Sequence, residues 1–370
     1  MVSEFRLLIA ITLLLLLPAV TAAEQNEDEA IAAARAAVNA KPDDPDLHMN
    51  LAQALIGKAR RVGRVVDATL DSKAIAPGQQ TIRLPLGVKN SKIEVIYDPD
   101  LFEDALREVR EAIRLAPMRK DLRFSESYLL TDAGDIERAS AAIRRAIESL
   151  EGEPGLASTL ASYGSERVKR GDVQGGAILL GVVATAFPGN ASVQVEHASA
   201  LARDGKGEEA RTALDRTGEA ASVDLDVHRK RALIALLLQD FSRAGDAFRK
   251  AYALSRQDPD RLGAAAATFG LDPSTAQFAL EELAAPASSA DPGAVEIAKA
   301  FMRAVPAPRE QRYDLAKFLM TKRQHLLAIP VLHRVLLEQP GHSQASGMLD
   351  GIYRVMDYPR PRGPSASKAK

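Results

Sequence analysis

The feature that most constrains this chain is a recurring spacing of small and apolar residues. It reads Ala30, Ala34, Ala37 with Pro42; Ala105, Val109, Ala112 with Pro117; Ala139, Ile143, Ala146; and Gly176, Leu180, Val183 with Pro188. It returns as Ala210, Leu214, Thr217; as Ala244, Phe248, Ala251; and as Ala328, Leu332, Val335 with Pro340. Offsets of four and three put each trio on one face of a helix, and the proline ends the segment because it cannot continue the hydrogen-bond ladder. Three intervals, Ala105–Ala139, Gly176–Ala210 and Ala210–Ala244, are each 34 residues. Gly134, Gly171 and Gly205 stand five residues ahead of the small residue, where the chain must turn between two helices, and Gln239 and Arg323 take that place in later copies. Aromatic residues make up only 5% of the chain and tryptophan is missing, so the core is built from Ala, Leu, Ile and Val, side chains that suit closely packed helices.

First helices precede these turns, with small-then-apolar pairs at Ala198/Leu201, Ala232/Ala235 and Ala316/Leu319. A helix–turn–helix unit of this length, with alanine or glycine at the helix contacts, resembles the tetratricopeptide repeat superfamily over about residues 27–356. The resemblance implies an all-α fold across 24–357: a solenoid of stacked helix pairs, wound as a right-handed superhelix, with first helices lining its concave face. Between Ala244 and Ala328 lie 84 residues, two periods and 16 more. That stretch reads as a degenerate pair (258–269 and 273–283) and an unpaired helix near 294–305.

Ala30 to Ala105 is 75 residues, one period plus 41. The helix around Leu47–Ala59 is expected to pair with Leu101–Leu115, leaving an insertion over 65–100. Thr81–Leu84 and Lys92–Tyr97 alternate or run β-branched, with turn residues Gly87, Asn90 and Ser91 between them. This predicts a β-hairpin near residues 74–98, inserted between two helices. Asp98-Pro99-Asp100 then stops the strand and caps the next helix. Lys58, Arg60, Arg61 and Arg64 read as the end of the preceding helix, where positive charge is favoured; a basic docking shoulder is the functional alternative. A lone hairpin is marginal in water and must pack on the helices or on a partner.

The ends read as an address and a tail. Leu7–Leu17 is apolar but for Thr12, and Pro18 and the small residues Ala19–Ala23 follow, the order of a secretory signal over 1–23. The run is short for a membrane span of about 20 residues, so secretion to the periplasm is expected, with an N-terminal inner-membrane anchor as the alternative. Residues 358–370 carry four positive charges among Pro, Ser and Gly and read as a disordered basic tail, free to make peripheral contact with an acidic membrane.

The chain lacks cysteine, and 48 basic residues face 49 acidic ones, a net charge of −1. Disulfide scaffolds and cysteine metal sites are thereby excluded, and a nucleic-acid partner is disfavoured. The six histidines form no i, i+4 pair, and Pro330 separates His325 from His333. The glycine-dense stretch 171–176 has no strand ahead of it and no Lys-Ser/Thr ending, and no nucleophile elbow occurs. No enzyme activity, metal or cofactor is expected. A protein–protein interaction scaffold is expected, binding a partner protein or peptide in its groove, and the secretory signal makes the expected partner one of the cell envelope, in assembly or secretion. Phe124, Tyr128, Val195, Arg229, Leu233, Tyr313 and Lys317, opposite the small packing residues, are the candidate groove residues. Chaperone-clamping members of the superfamily use Lys and Asn at first-helix positions that here hold Met49, Val195 and Tyr313, so that activity is not implied. The alternative is a glycan- or peptidoglycan-binding accessory subunit of an envelope polysaccharide complex, which the scarcity of aromatics disfavours.

Overall fold

The computed structural model describes residues 26–67, 91–220, 224–285, 291–306 and 309–361. Its contacts divide the chain into two units, residues 1–183 and 184–370. Unit 1 runs α1 (26–40), α2 (Pro45–Ala59), β1 (Arg60–Asp67), β2 (Ser91–Tyr97), α3 (Pro99–Leu115), α4 (Lys120–Asp132), α5 (Ile136–Ser149), α6 (Leu156–Lys169) and the start of α7 (Val173–Ala186). Unit 2 runs α8 (Ala191–Arg203), α9 (Gly207–Ala220), α10 (Leu225–Leu237), α11 (Phe241–Ser255), α12 (Asp258–Leu271) and α13 (Pro273–Ala284). It continues through α14 (Pro292–Ala304), α15 (Arg309–Thr321), α16 (His325–Glu338) and α17 (Ser343–Met356). The degenerate stretch thus holds the pair α12–α13 and the extra helix α14.

The small-residue face is the core of each helix pair. Ala105, Val109, Ala112, Ala139, Ile143, Ala146, Ala210, Ala244, Ala251, Ala328, Leu332 and Val335 are all fully buried. The first copy departs from this: Ala30 is exposed, and α1 packs on α2 and α3 through Ile31, Ala34 and Val38. Local signals fix the helix ends. Asp98, Asp135, Asn190, Asp224 and Asp240 each accept a backbone N–H from the first turn of the helix they precede, satisfying one of its orphan donors.

Gly134, Gly171 and Gly205 have φ of +78°, +90° and +78°, the left-handed conformation that only glycine adopts freely. Gln239 and Arg323 make the same turn at φ of 56° and 58°, at a steric cost of roughly 1 kcal/mol. Gln239 compensates through side-chain bonds to His333 and Tyr353; Arg323 is exposed. Arg323→Gly is therefore expected to raise stability by about 0.5 kcal/mol, after the entropy of the added glycine in the unfolded chain is subtracted. Gly171→Ala should lower it by about 1 kcal/mol, both read from urea midpoints.

The insertion between α2 and α3 differs from its expected form. Helix α2 stops at Ala59, where Arg60 turns extended (φ −73°, ψ 98°), and Arg60–Asp67 is the strand that pairs antiparallel with Ser91–Tyr97, Arg60 opposite Tyr97 and Asp67 opposite Ser91. The register is irregular between Arg61 and Arg64, where Val62 and Gly63 face Val95 alone, a bulge. A hairpin confined to 74–98 is therefore not the arrangement: the partner strand lies N-terminal to it, and the expected strand at 81–84 lies outside the described residues. Arg60, Arg61 and Arg64 accordingly belong to a strand and not to a helix C-terminus. The run holds Val62, Val65 and Val66, whose branching at Cβ favours the extended backbone. The ribbon closes at its base, where the Asp98 N–H donates to the Ala59 carbonyl at 2.8 Å.

Unit 2 departs from a nearest-neighbour stack. In a simple solenoid each repeat touches only those beside it, yet α16 packs on both α10 and α12. Pro330, inside α16, lies against Gly270, where an added Cβ would stand 2.6 Å from the proline Cβ. His333 meets the Phe241 ring at 4.9 Å. Tyr353 of α17, 2% exposed, donates its hydroxyl to the Leu237 carbonyl at 2.7 Å. The C-terminal helices thus lie along the ends of successive first helices. The tail begins docked as well, since Tyr358 bonds Ser199 at 2.8 Å and Arg360 bonds Asp350 at 2.9 Å. Residues 362–370 lie outside the described residues.

Candidate functional site

Among the expected groove residues, Phe124 and Tyr128 sit on α4 of unit 1, a helix held in place by the buried Leu122, Ser127 and Leu130. Tyr128 is 42% exposed. Its ring meets Tyr163 of α6 edge-on, with centroids 5.8 Å apart, and the Tyr163 hydroxyl donates to the Phe124 carbonyl at 3.4 Å. Burial pushes the Tyr163 phenol up to about 12, so it stays a neutral donor at ordinary pH. Tyr163 went unnoticed in the sequence: it stands eight residues before the turn glycine Gly171, whereas Tyr128 stands six before Gly134, so repeat spacing does not pair them.

Beside this aromatic face lies a buried carboxylate. Asp132, 4% exposed, ends α4 and accepts hydrogen bonds from the Tyr97 hydroxyl and the Arg170 guanidinium, with Arg60 at 3.9 Å. Burial alone would raise its pKa, but the bonds from Tyr97 and Arg170 hold it below the usual carboxylate range. Arg60 opens β1 and Tyr97 closes β2, so the inserted ribbon is tied at its base to α4 and α6. A recess of about 660 Å³ opens nearby, lined by Tyr97, Phe102, Gly134, Arg138, Arg167 and Ile178 among others. Its two arginines are already paired, Arg138 with Asp135 and Glu103, Arg167 with Asp172.

The other expected groove residues lie in unit 2 and do not form one surface. Val195 is 0% exposed and is a core residue: it stands three before Ala198, on the same face of α8, so its spacing marks the packed side. Arg229 is spent on Asp260, which accepts from it at 2.9 and 2.7 Å, with Ser255 donating to the same carboxylate at 2.6 Å. Leu233 is half-buried on α10. On α15, Tyr313 packs its ring 4.7 Å from His342, and exposed Lys317 lies over that ring at 5.1 Å while pairing with Asp314. Among the described residues no group of three or more His, Asp or Glu could hold a metal ion, and no helix is long and apolar enough to cross a membrane.

Comparison with known proteins agrees with this geometry. The tetratricopeptide repeat model matches residues 195–259, from α8 into the start of α12. No curated protein matches the chain. Solved structures similar to it include YrrB, a tetratricopeptide-repeat protein with an unusual peptide-binding site (13% identity over 65% of this chain and 97% of that one, TM-score 0.29). PilF of Pseudomonas aeruginosa is similar at 13% identity, over 63% of this chain and 86% of that one, with a TM-score of 0.28. The type IV pilus biogenesis factor PilW is similar at 15% identity, over 59% and 92%, with a TM-score of 0.30. Residues 195–259 thus match a tetratricopeptide repeat, and the 34-residue spacing and the left-handed turns between paired helices repeat the same pattern along the chain.

Proposed function

We propose that the chain is a non-catalytic scaffold of the cell envelope that receives a segment of a partner protein on the first-helix face of unit 1, in assembly or secretion. The observation that carries this reading is Tyr128, a large aromatic 42% exposed and braced edge-on by Tyr163 on the neighbouring first helix. Braced aromatics with a polar tip are the residues on which binding energy concentrates. The envelope part rests on the apolar run Leu7–Leu17 and the small residues after Pro18.

A photo-crosslinking amino acid at position 128 should capture the partner from an envelope extract. Tyr128→Ala should lower recovery of that partner about tenfold, a loss of about 1.4 kcal/mol of binding. Phe278→Ala, removing a residue 72% exposed on the second helix α13, should leave recovery unchanged. Equal recovery with Tyr128 and with alanine there would sink the reading.

A further inference from the structure

Unit 2 already holds an extended peptide, and it is the chain's own. After α17, Asp357 takes a left-handed turn (φ 58°) and the chain leaves the helix as Tyr358-Pro359-Arg360. The Tyr358 hydroxyl shares a hydrogen bond with Ser199 Oγ at 2.8 Å. The Arg203 guanidinium lies over the Tyr358 ring, 5.0 Å from its centroid. Pro359 rests on the turn at Gly205, its Cγ 3.7 Å from where a Cβ would stand. Arg360 leaves this pocket and bonds Ser346 and Asp350, each at 2.9 Å. The receptor is thus the C-terminal end of α8 and the left-handed turn after it, and each of its three parts meets a different part of the peptide.

The fit is incomplete in one respect. Arg203 Nε is buried and has no hydrogen-bond partner, although the guanidinium carbon lies over the tyrosine ring. A buried donor left unmade is unfavourable, so a ligand supplying an acceptor beside its aromatic ring would be held more tightly than the resident tail.

We propose that the Ser199–Arg203–Gly205 end of α8 is a second peptide site, specific for an extended segment with an aromatic residue followed by proline, and that residues 358–360 occupy it as a tethered self-ligand. A short tether holds such a ligand at roughly millimolar effective concentration. A partner segment must therefore outcompete the tail, and the site is closed to weak ligands.

The test uses the full chain and a fluorescent peptide copying residues 357–363. The peptide should bind the Tyr358→Ala chain at least tenfold more tightly than the unaltered chain, and adding Arg203→Ala should abolish that gain. Equal affinity for the first two chains, or a gain that survives Arg203→Ala, overturns the proposal. A second readout needs no variant in the tail: the peptide with a benzophenone in place of its tyrosine, in excess over the unaltered chain, should crosslink within 199–205, and crosslinks confined elsewhere overturn it. Light scattering that shows the unaltered chain dimerising through exchanged tails, with Arg203→Ala restoring the monomer, would replace the tethered ligand by a second copy and overturn it too.

Discussion

Gly176→Ala is expected to destabilise unit 1 by about 2–3 kcal/mol, although helix propensity alone predicts a gain of about 1 kcal/mol. Helices α6 and α7 cross with glycine on both sides. A Cβ on Gly176 would stand 2.6 Å from the Gly164 carbonyl oxygen and 2.5 Å from Val168 Cγ2, and one on Gly164 would stand 2.9 Å from the Gly176 carbonyl oxygen. No rotamer relieves a clash with backbone, so the helices must move apart and lose the contacts that Leu180 and Leu160 make in the core. Gly57 is the control. It lies in the last turn of α2 with nothing within 4 Å of its Cβ position, so Gly57→Ala should stabilise by about 0.5 kcal/mol. Urea unfolding of the two variants should thus shift in opposite directions. A shift of Gly176→Ala in the stabilising direction would mean that the pair does not approach as closely as the repeat spacing requires.

What was legible in the sequence is what depends on neighbours along the chain. The small-residue face follows from the helical period, and the turn position follows from it by a fixed offset. That is why Gln239 and Arg323 take up the left-handed conformation of the glycines they replace. Asp98 was legible as a cap because a cap bonds within its own first turn. Three features were not legible, for one shared reason. Asp260, Glu126 and Asp132 are buried carboxylates whose cations come from other helices: Arg229 for the first, Arg110 and Arg145 for the second, Arg170 for the third. Strand β1 looked like the end of a helix because its basic residues satisfied a local rule, whereas its pairing partner lies beyond residues 68–90. Val195 was placed opposite the packing residues although it stands three before Ala198, an offset that puts both on one face, and α8 is buried from Val193 through Val195. The docking of α16 and Tyr358 on earlier first helices likewise has no signature at repeat spacing.

Asp132→Ala should cost about 3 kcal/mol, because removing one member of a buried ion pair strands the other. Arg170 keeps a bond to Glu166 at 3.1 Å, which limits the loss, but the Tyr97 hydroxyl is left to find another acceptor. Asp132→Asn keeps an acceptor and loses the charge, so it should cost less, about 1–2 kcal/mol. The effect should also be local to the insertion. Tyr97 and Arg60 are the ends of the ribbon, and Asp132 is the group in α4 that both of them face, so amides of residues 91–97 should exchange at least tenfold faster in Asp132→Ala while those of α3 change little. The pH dependence has a definite sign. The folded pKa of Asp132 lies below that of the unfolded chain, about 3.9, so the linked stability is present above pH 4 and is lost as pH falls through the folded value. The gap between the unaltered chain and Asp132→Asn should therefore be constant near neutrality and narrow below about pH 4. A gap that stays the same down to pH 2 would show that the carboxylate's charge contributes nothing, and that the ribbon is held by packing of Tyr97 on Phe102, whose rings lie 5.0 Å apart.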